Sequence, residues 1–164
     1  QLETGYAVNA LQRLHDGCDV VVAALADFDD PQLTRRIIVS TPMLTIAPVG
    51  DGQHSEPGRD WSTTPLVLPT VGPARNHIDD WLRKQRIKPN IYTEVAGNEA
   101  ILSLVALGCG VGFVPALVLE NSPLANKVQI LADGPRLMDI QVGFCTRTKS
   151  LASSPVVKAF WQSI

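Results

Sequence analysis

EVAGNEAILSLVALGCGVGFVP, residues 94–115, is the stretch that decides the fold. Its three glycines, Gly108, Gly110 and Gly112, lie in surroundings almost free of charge, where a nucleotide-binding loop, a membrane span and a core turn are all conceivable. A dinucleotide-binding loop requires the order strand, glycines, helix, because the pyrophosphate must meet a helix N-terminus. Here the order is helix, glycines, strand, and the partial negative charge of a helix C-terminus repels phosphate. This order argues against a nucleotide site.

A membrane span fits the length of this stretch but not its interruptions. No charged residue occurs between Glu99 and Glu120, and about 20 apolar residues cross a bilayer. The glycines and Pro115 break the segment in its middle. Two short buried elements joined by a tight turn explain the same composition. We therefore expect Gly108 to end a buried helix and the next two glycines to turn the chain into a strand over 111–114.

Outward from this stretch, helical and extended segments alternate along the chain. The predicted helices cover 6–16, 73–87, 98–107, 115–119 and the segment after Ser154, and the predicted strands cover 19–25, 35–49, 65–68, 91–95, 111–114, 128–131 and 140–145. Such alternation indicates an α/β fold with mostly parallel pairing, because parallel strands need crossover connections. The continuous run DVVVAAL, residues 19–25, predicts a strand buried on both faces of a parallel sheet.

Two long extended stretches, 35–49 and 138–148, flank a middle block of the chain. Pro42 interrupts the first of them, and a long strand can bend or pass between lobes at such a point. Two crossings of this kind predict two lobes. The final helix is expected to begin after the N-cap Ser154 and to bury one apolar face. That predicted face consists of Val156, Val157, Phe160, Trp161 and Ile164.

Charge and cysteine content limit the functional classes. The chain has 164 residues and a formal net charge of −2, without the basic stripe by which a domain binds nucleic acid through its own field. Cys18, Cys109 and Cys145 are far apart and odd in number, which predicts free thiols in a reducing cytoplasm. The first residues have neither the basic nor the apolar region of a signal peptide, so the expected location is cytoplasmic.

No group of residues has the spacing of a catalytic or metal site. We expect His15, His54 and His77 to be surface histidines, since none has a second ligand at metal-binding spacing. The acidic residues of 27–30 are typical of a solvated turn rather than a Mg²⁺ site. A nucleophile with an identifiable base is also missing from the sequence. The prediction is a protein that is not an enzyme and has no cofactor and no metal.

The segment Gly72-Pro73-Ala74-Arg75 contains a local conflict. Pro73 suits the first position of a helix, where the backbone amides are unpaired and electropositive. Arg75 adds a cation to that turn, although an acidic residue would be favoured there, and a bound anion would resolve the conflict. An Arg75 side chain directed to solvent, or to Asp79 four residues later, explains the sequence equally well.

Two other segments join a strand end to a helix start. They are Thr4-Gly5-Tyr6 and Gly97-Asn98-Glu99. Open α/β sheets bind ligands at the carboxyl ends of their strands, where such corners lie. Together with the corner at Gly72, these segments predict a pocket for a small anion.

Several motifs together resemble the effector-binding domain of LysR-type transcriptional regulators. They are DGCDVVVAAL, TPMLTIAP, DWSTTP at 60–65, GPAR at 72–75 followed by Trp81, GNEAILSLVALGCGVGFVP at 97–115 and LENSP at 119–123. The resemblance implies the two-lobed fold of periplasmic binding proteins of type 2, joined by two crossing strands. Lobe I is expected to comprise 1–46 and 147–164, and lobe II 47–146. A winged helix-turn-helix and the first strand and helix of lobe I are expected to lie outside this chain.

The resemblance also implies a function. Its finer features point to activators of the acetohydroxy acid isomeroreductase gene. Such an activator is expected to sense 2-acetolactate or 2-aceto-2-hydroxybutyrate in the cleft between its lobes. Such a regulator forms a homodimer or tetramer and acts on DNA and RNA polymerase through its full length. A domain for another small carboxylate, or an enzyme or transport protein on the same fold, remains the alternative.

The predicted ligand-binding positions follow from that resemblance. They are Thr4, Gly5, Tyr6, Gly72, Pro73, Ala74, Arg75, Gly97 and Asn98. Backbone amides at 72–75 would bind the carboxylate with Arg75 as counter-ion, while Thr4 and Asn98 would bind the hydroxyl and the ketone.

Overall fold

The computed structural model of the chain describes residues 10–25, 30–50 and 58–164. The helices are α1 Ala10–His15, α2 Pro73–Gln85, α3 Asn98–Ala106, α4 Ala116–Glu120, α5 Thr148–Ser153 and α6 Pro155–Ser163. The strands are β1 Val20–Leu25, β2 Leu33–Thr41, β3 Met43–Pro48, β4 Pro65–Pro69, β5 Asn90–Val95, β6 Val111–Pro115, β7 Val128–Ile130 and β8 Ile140–Arg147. A short 3₁₀ turn covers Ala125–Lys127.

The chain divides into two compact units. Unit 1 contains the described residues up to Ser40 together with Gln141–Ile164, and unit 2 contains Thr41–Ile140. The extended stretch broken at Pro42 forms β2 and β3 and leads from unit 1 into unit 2, as the sequence predicts. The chain returns to unit 1 in β8. The crossings lie at residues 40 and 140, whereas the sequence-based lobe limits are 46 and 146.

The described residues of unit 1 form a three-stranded sheet with the order β1-β8-β2. β1 pairs antiparallel with β8, from Val20 opposite Thr146 to Leu25 opposite Gln141. The expectation that β1 lies in a parallel sheet with both faces buried is therefore wrong. Its residues alternate in burial, and Val22 is 55% exposed. The continuous apolar run concealed this alternation, because single exposed apolar side chains are common on protein surfaces.

Helix α6 packs on unit 1 through a narrower face than the sequence predicts. Its N-cap is as expected, since the Ser154 hydroxyl accepts a hydrogen bond from the amide of Val157. Val157 and Trp161 are buried, but Val156 is 75% exposed. Helix α5, which the sequence analysis did not predict, ends at Ser153 directly before α6.

Unit 2 is built on a five-stranded sheet with the order β5-β4-β6-β3-β7. Its parallel pairs are β4 with β5 and β4 with β6, whereas β3 runs antiparallel to both β6 and β7. The pairing of the described strands is thus mixed rather than mostly parallel. The antiparallel strands include β3, which follows the first crossing, and β8, which begins at the second. Local sequence patterns do not specify the direction of these strands.

The turn after α3 has the structure that the sequence predicts. Gly108 has a φ of 85°, the amide of Gly108 donates to the carbonyl of Val105, and the amide of Cys109 donates to that of Leu104. This pair of hydrogen bonds is a Schellman motif, which ends a helix at a left-handed glycine. A Cβ at Gly110 would lie 2.3 Å from the carbonyl oxygen of Pro65, so the chain turns tightly against β4.

Helix α3 lies directly on β6. A Cβ at Gly112 would lie 2.8 Å from methyl carbons of both Ile101 and Val105, so this glycine permits the close approach. These two residues belong to a buried cluster with Ile46 and Val67. No helix in the described parts of the chain is both long enough and apolar enough to cross a membrane.

Candidate functional site

The candidate site lies at one edge of the unit 2 sheet. β4 and β5 run parallel and end in register, with Pro69 opposite Val95. The amide of Thr70 donates to the carbonyl of Val95 at 3.0 Å, which ties the two strand ends together. The segments that follow are the Gly72 corner, residues 70–75, and the Gly97 corner, residues 96–99. Because parallel strands end at the same edge, these corners are neighbours.

Each corner begins a helix with a left-handed glycine. Gly72 has a φ of 106° and precedes Pro73, the first residue of α2. Gly97 has a φ of 88° and precedes Asn98, the first residue of α3. Neither glycine provides a side-chain cap, so the first amides of both helices receive no hydrogen bond acceptor from their N-cap. Amides of this kind bind anions, with the partial positive charge of the helix contributing.

Helix α4, which follows β6 at the same edge, differs from α2 and α3. The Thr41 hydroxyl accepts a hydrogen bond from the amide of Leu117 at 3.0 Å. The carbonyl of Pro42 accepts from the amide of Ala116 at 2.8 Å. Groups of the chain itself therefore accept hydrogen bonds from the first amides of α4. Helices α2 and α3, at the Gly72 and Gly97 corners, begin without a side-chain cap.

Arg75 is held within unit 2 by three acceptors. Its Nε donates to both carboxylate oxygens of Asp79 at 2.8 and 2.9 Å, and its Nη1 donates to the carbonyl of Pro69 at 2.9 Å and to Glu94. Only 17% of the side chain is exposed. Burial by itself would lower the pKa of Arg75, but the hydrogen bonds and charges of Glu94 and Asp79 raise it above its ordinary value.

The pairing of Arg75 with Asp79 is the alternative that the sequence left open. The contact with Glu94 was missed, because Glu94 is 19 residues away in the chain. The signal that could have found it is the parallel pairing of β4 and β5. That pairing brings Glu94, near the end of β5, beside the first turn of α2.

A further side-chain carboxylate, that of Glu99, lies at the Gly97 corner. A Cβ at Gly97 would lie 3.8 Å from Oε2 of Glu99, so the Glu99 carboxylate lies over this glycine. Asn98 is half-buried, whereas Glu99 is exposed. The structure thus brings together Gly72, Pro73, Ala74 and Arg75 with Gly97 and Asn98. Thr4, Gly5 and Tyr6 lie outside the described residues.

Among the remaining candidates, His77 departs from the predicted surface histidine, because its Nδ1 is buried without a hydrogen-bond partner in the described structure. His15 is exposed and His77 is half-buried, while His54 lies outside the described residues. Asp30 accepts a hydrogen bond from the amide of Gln32 at 2.8 Å, a contact typical of a local turn. Within 10–25, 30–50 and 58–164, no three residues form a group suited to a metal ion. All three cysteines are free.

A family model described as the LysR substrate binding domain matches residues 1–164, the whole chain. The chain belongs to this family. The LysR domain is 35% identical over 170 residues to the HTH-type transcriptional activator IlvY of Salmonella typhimurium, an alignment that covers 99% of the chain and 57% of that relative. The regulator IlvY of Escherichia coli K12 has the same identity and coverage. The LysR domain thus spans 57% of the length of these relatives.

A solved structure has the same fold as this chain. The effector binding domain of QuiR in complex with shikimate superposes with a TM-score of 0.76 at 17% identity, covering 96% of this chain and 76% of that one. At that identity the likeness shows the fold alone. The predicted two-lobed fold of the periplasmic binding proteins of type 2 is confirmed. The named relatives are transcriptional regulators rather than enzymes, as the sequence predicts.

Proposed function

We propose that this LysR domain senses 2-acetolactate or 2-aceto-2-hydroxybutyrate as part of an activator of branched-chain amino-acid biosynthesis. Its 35% identity to IlvY over 99% of the chain supports that assignment. The observation that carries the site is the pair of helices, α2 and α3, that start at adjacent strand ends without side-chain caps. A carboxylate placed there receives backbone hydrogen bonds and the favourable ends of two helix dipoles.

The two ligands share the chemistry that these corners serve. Each carries a carboxylate, a tertiary hydroxyl and a ketone. In the proposal the amides at Gly72–Arg75 bind the carboxylate, and the Asn98 side chain, which has both a donor and an acceptor, binds the hydroxyl or the ketone. Arg75 supplies positive charge to the same turn, and Thr4, Gly5 and Tyr6 are the further ligand contacts of the proposal.

The proposed mechanism is a shift between conformations rather than catalysis. A bound ligand shifts the equilibrium between two conformations only by its differential affinity for one of them. Couplings of about 1–3 kcal/mol are typical of such regulation. In the full-length protein, proposed to be a cytoplasmic homodimer or tetramer, this coupling would alter how DNA is presented to RNA polymerase.

Isothermal titration calorimetry of the full-length protein tests the ligand. We expect saturable binding of 2-acetolactate and 2-aceto-2-hydroxybutyrate, with shikimate as a comparison carboxylate. Absence of binding by both acetohydroxy acids contradicts the proposed ligands. Tighter binding of shikimate favours the alternative, a LysR domain for another small carboxylate.

A glycine substitution tests the position of the site. Gly72→Ala places a Cβ at a φ of 106° and should displace the amides of the corner, weakening binding by about tenfold or more. Gly108→Ala is the matched control, because it has similar backbone strain at a φ of 85° at the other end of α3. We expect it to change the Kd by less than about twofold. Equal effects of both variants would place the ligand elsewhere.

A further inference from the structure

We infer that the carboxylates of Asp79, Glu94 and Glu99 make this site selective for singly charged anions over doubly charged ones. The inference rests on the proposed function, because it concerns the charge of the ligand that the Gly72 and Gly97 corners accept. It concerns a different property from the identity of the inducer, and a separate measurement can overturn it.

Side-chain charge at the two corners is predominantly negative. The guanidinium of Arg75 is shared by two carboxylates, those of Asp79 and Glu94, which are 47% and 43% exposed. The carboxylate of Glu99 lies over Gly97. Arg75 is the one lysine or arginine in residues 69–79 and 94–99, which the structure describes throughout. The two corners thus carry three carboxylates and one arginine, and two of those carboxylates are paired with it.

A single carboxylate on the ligand is compatible with this arrangement. The open amides at the starts of α2 and α3 provide its hydrogen bonds, and they carry only fractional positive charge. A second negative charge would meet the charges of Glu94 and Glu99, and the two corner segments themselves supply no further lysine or arginine. Like charges repel, and such repulsion is an effective way to exclude an unwanted ligand.

Two ligands of the same size measure this selectivity. The ketone 2-hydroxy-2-methyl-4-oxopentanoate and the dianion 2-methylmalate share a carboxylate, a tertiary hydroxyl and a methyl group, and they differ in an acetyl group replacing a carboxylate. In calorimetry of the full-length protein at low salt, we expect the ketone to bind at least about tenfold more tightly. Raising the ionic strength should narrow this ratio, because salt screens exposed charges.

Charge-neutral variants assign the effect to named residues. Glu99→Gln and Glu94→Gln should each reduce the ketone-to-dianion ratio by about threefold or more, because each removes one repulsive charge from the site. The matched control is Glu120→Gln, an exposed glutamate at the end of α4, which should leave the ratio unchanged. Thermal unfolding of each variant verifies that it is folded. An unchanged ratio in both corner variants overturns the inference.

Simple anions separate this inference from the proposed inducer. Hydrogen exchange of the amides at 74–76 and 99–101 is measured in acetate and in malonate. Greater protection by acetate, together with no binding of 2-acetolactate, means that the inducer is wrong and the charge preference holds. Protection by malonate equal to or greater than that by acetate overturns the charge preference. If neither anion protects these amides, the site itself is wrong and both proposals fall.

Discussion

Arg75 and Glu94 form an ion pair that joins the first turn of α2 to the end of β5. The same guanidinium binds Asp79 and the carbonyl of Pro69, so one side chain connects the helix with two strands. The sequence left open whether Arg75 is a counter-ion for a ligand or pairs with Asp79, and in the structure groups of its own unit engage it. Its position sets the geometry of the Gly72 corner.

Arg75→Gln should lower both stability and ligand affinity. The side chain is 17% exposed, so loss of its charged hydrogen bonds should reduce the free energy of unfolding by about 1–2 kcal/mol. Arg83→Gln is the control on the same helix, because the Arg83 side chain is 75% exposed and pairs with Asp80 three residues before it. That exposed pair should contribute less than about 0.5 kcal/mol. Urea denaturation measures the free energy of unfolding of both variants. An equal loss of stability in the two would contradict a positioning role for Arg75.

Gly110→Ala should destabilise unit 2 more than Gly108→Ala. Both glycines have positive φ angles, but a Cβ at Gly110 would also lie 2.3 Å from the backbone oxygen of Pro65, whereas a Cβ at Gly108 has open space. We expect about 1 kcal/mol for Gly108→Ala from strain alone and at least about 2 kcal/mol more for Gly110→Ala. Chemical denaturation of the two variants provides the comparison. Similar values would show that the turn relaxes without cost.

Thr41→Val should weaken the start of α4. The change keeps the shape of a buried side chain but removes the oxygen that accepts the amide of Leu117. An unsatisfied amide at this position should cost about 1–2 kcal/mol, and exchange of the Leu117 amide should become faster. Thr93→Val on β5 is the control, since the described structure shows no side-chain hydrogen bond for Thr93. Unchanged exchange in Thr41→Val would mean that water replaces the hydroxyl.

Stability should fall in alkaline solution through Cys145. Burial, the largest cause, raises the pKa of its thiol, while the charge of Arg35 partly opposes this effect. A raised pKa means that the folded state prefers the protonated thiol. The stabilisation is therefore complete below the pKa of the unfolded thiol and is lost as the pH rises towards that of the folded one. Unfolding curves of wild type and Cys145→Ala across this range test it, and we expect a flatter pH dependence in the variant.

Features governed by neighbouring residues were predicted well from the sequence. Gly108 ends α3, Pro73 begins α2 and Ser154 caps α6, because each depends on hydrogen bonds that span only a few residues. The break at Pro42 was predicted for the same reason. The site positions Gly72 and Gly97 were predicted from the local pattern of a strand end followed by a helix start. The family resemblance then identified them as ligand-binding positions.

Features that depend on distant residues were not predicted. The direction of β1 depends on its pairing with β8, more than a hundred residues later, and the exposure of Val156 depends on how α6 meets the unit 1 sheet. The hydrophobic periodicity of the local sequence does not indicate either of these contacts.

The sequence by itself determined the family, the α/β class, the start of α2, the end of α3 and the cap of α6. Only the tertiary structure decided that Arg75 pairs with Glu94 as well as Asp79, and that Glu99 covers Gly97. The physical reason is the range of the interactions. Caps and turns are closed by residues close in the chain, whereas the electrostatics of a site depend on charges that parallel strands bring together from separate segments.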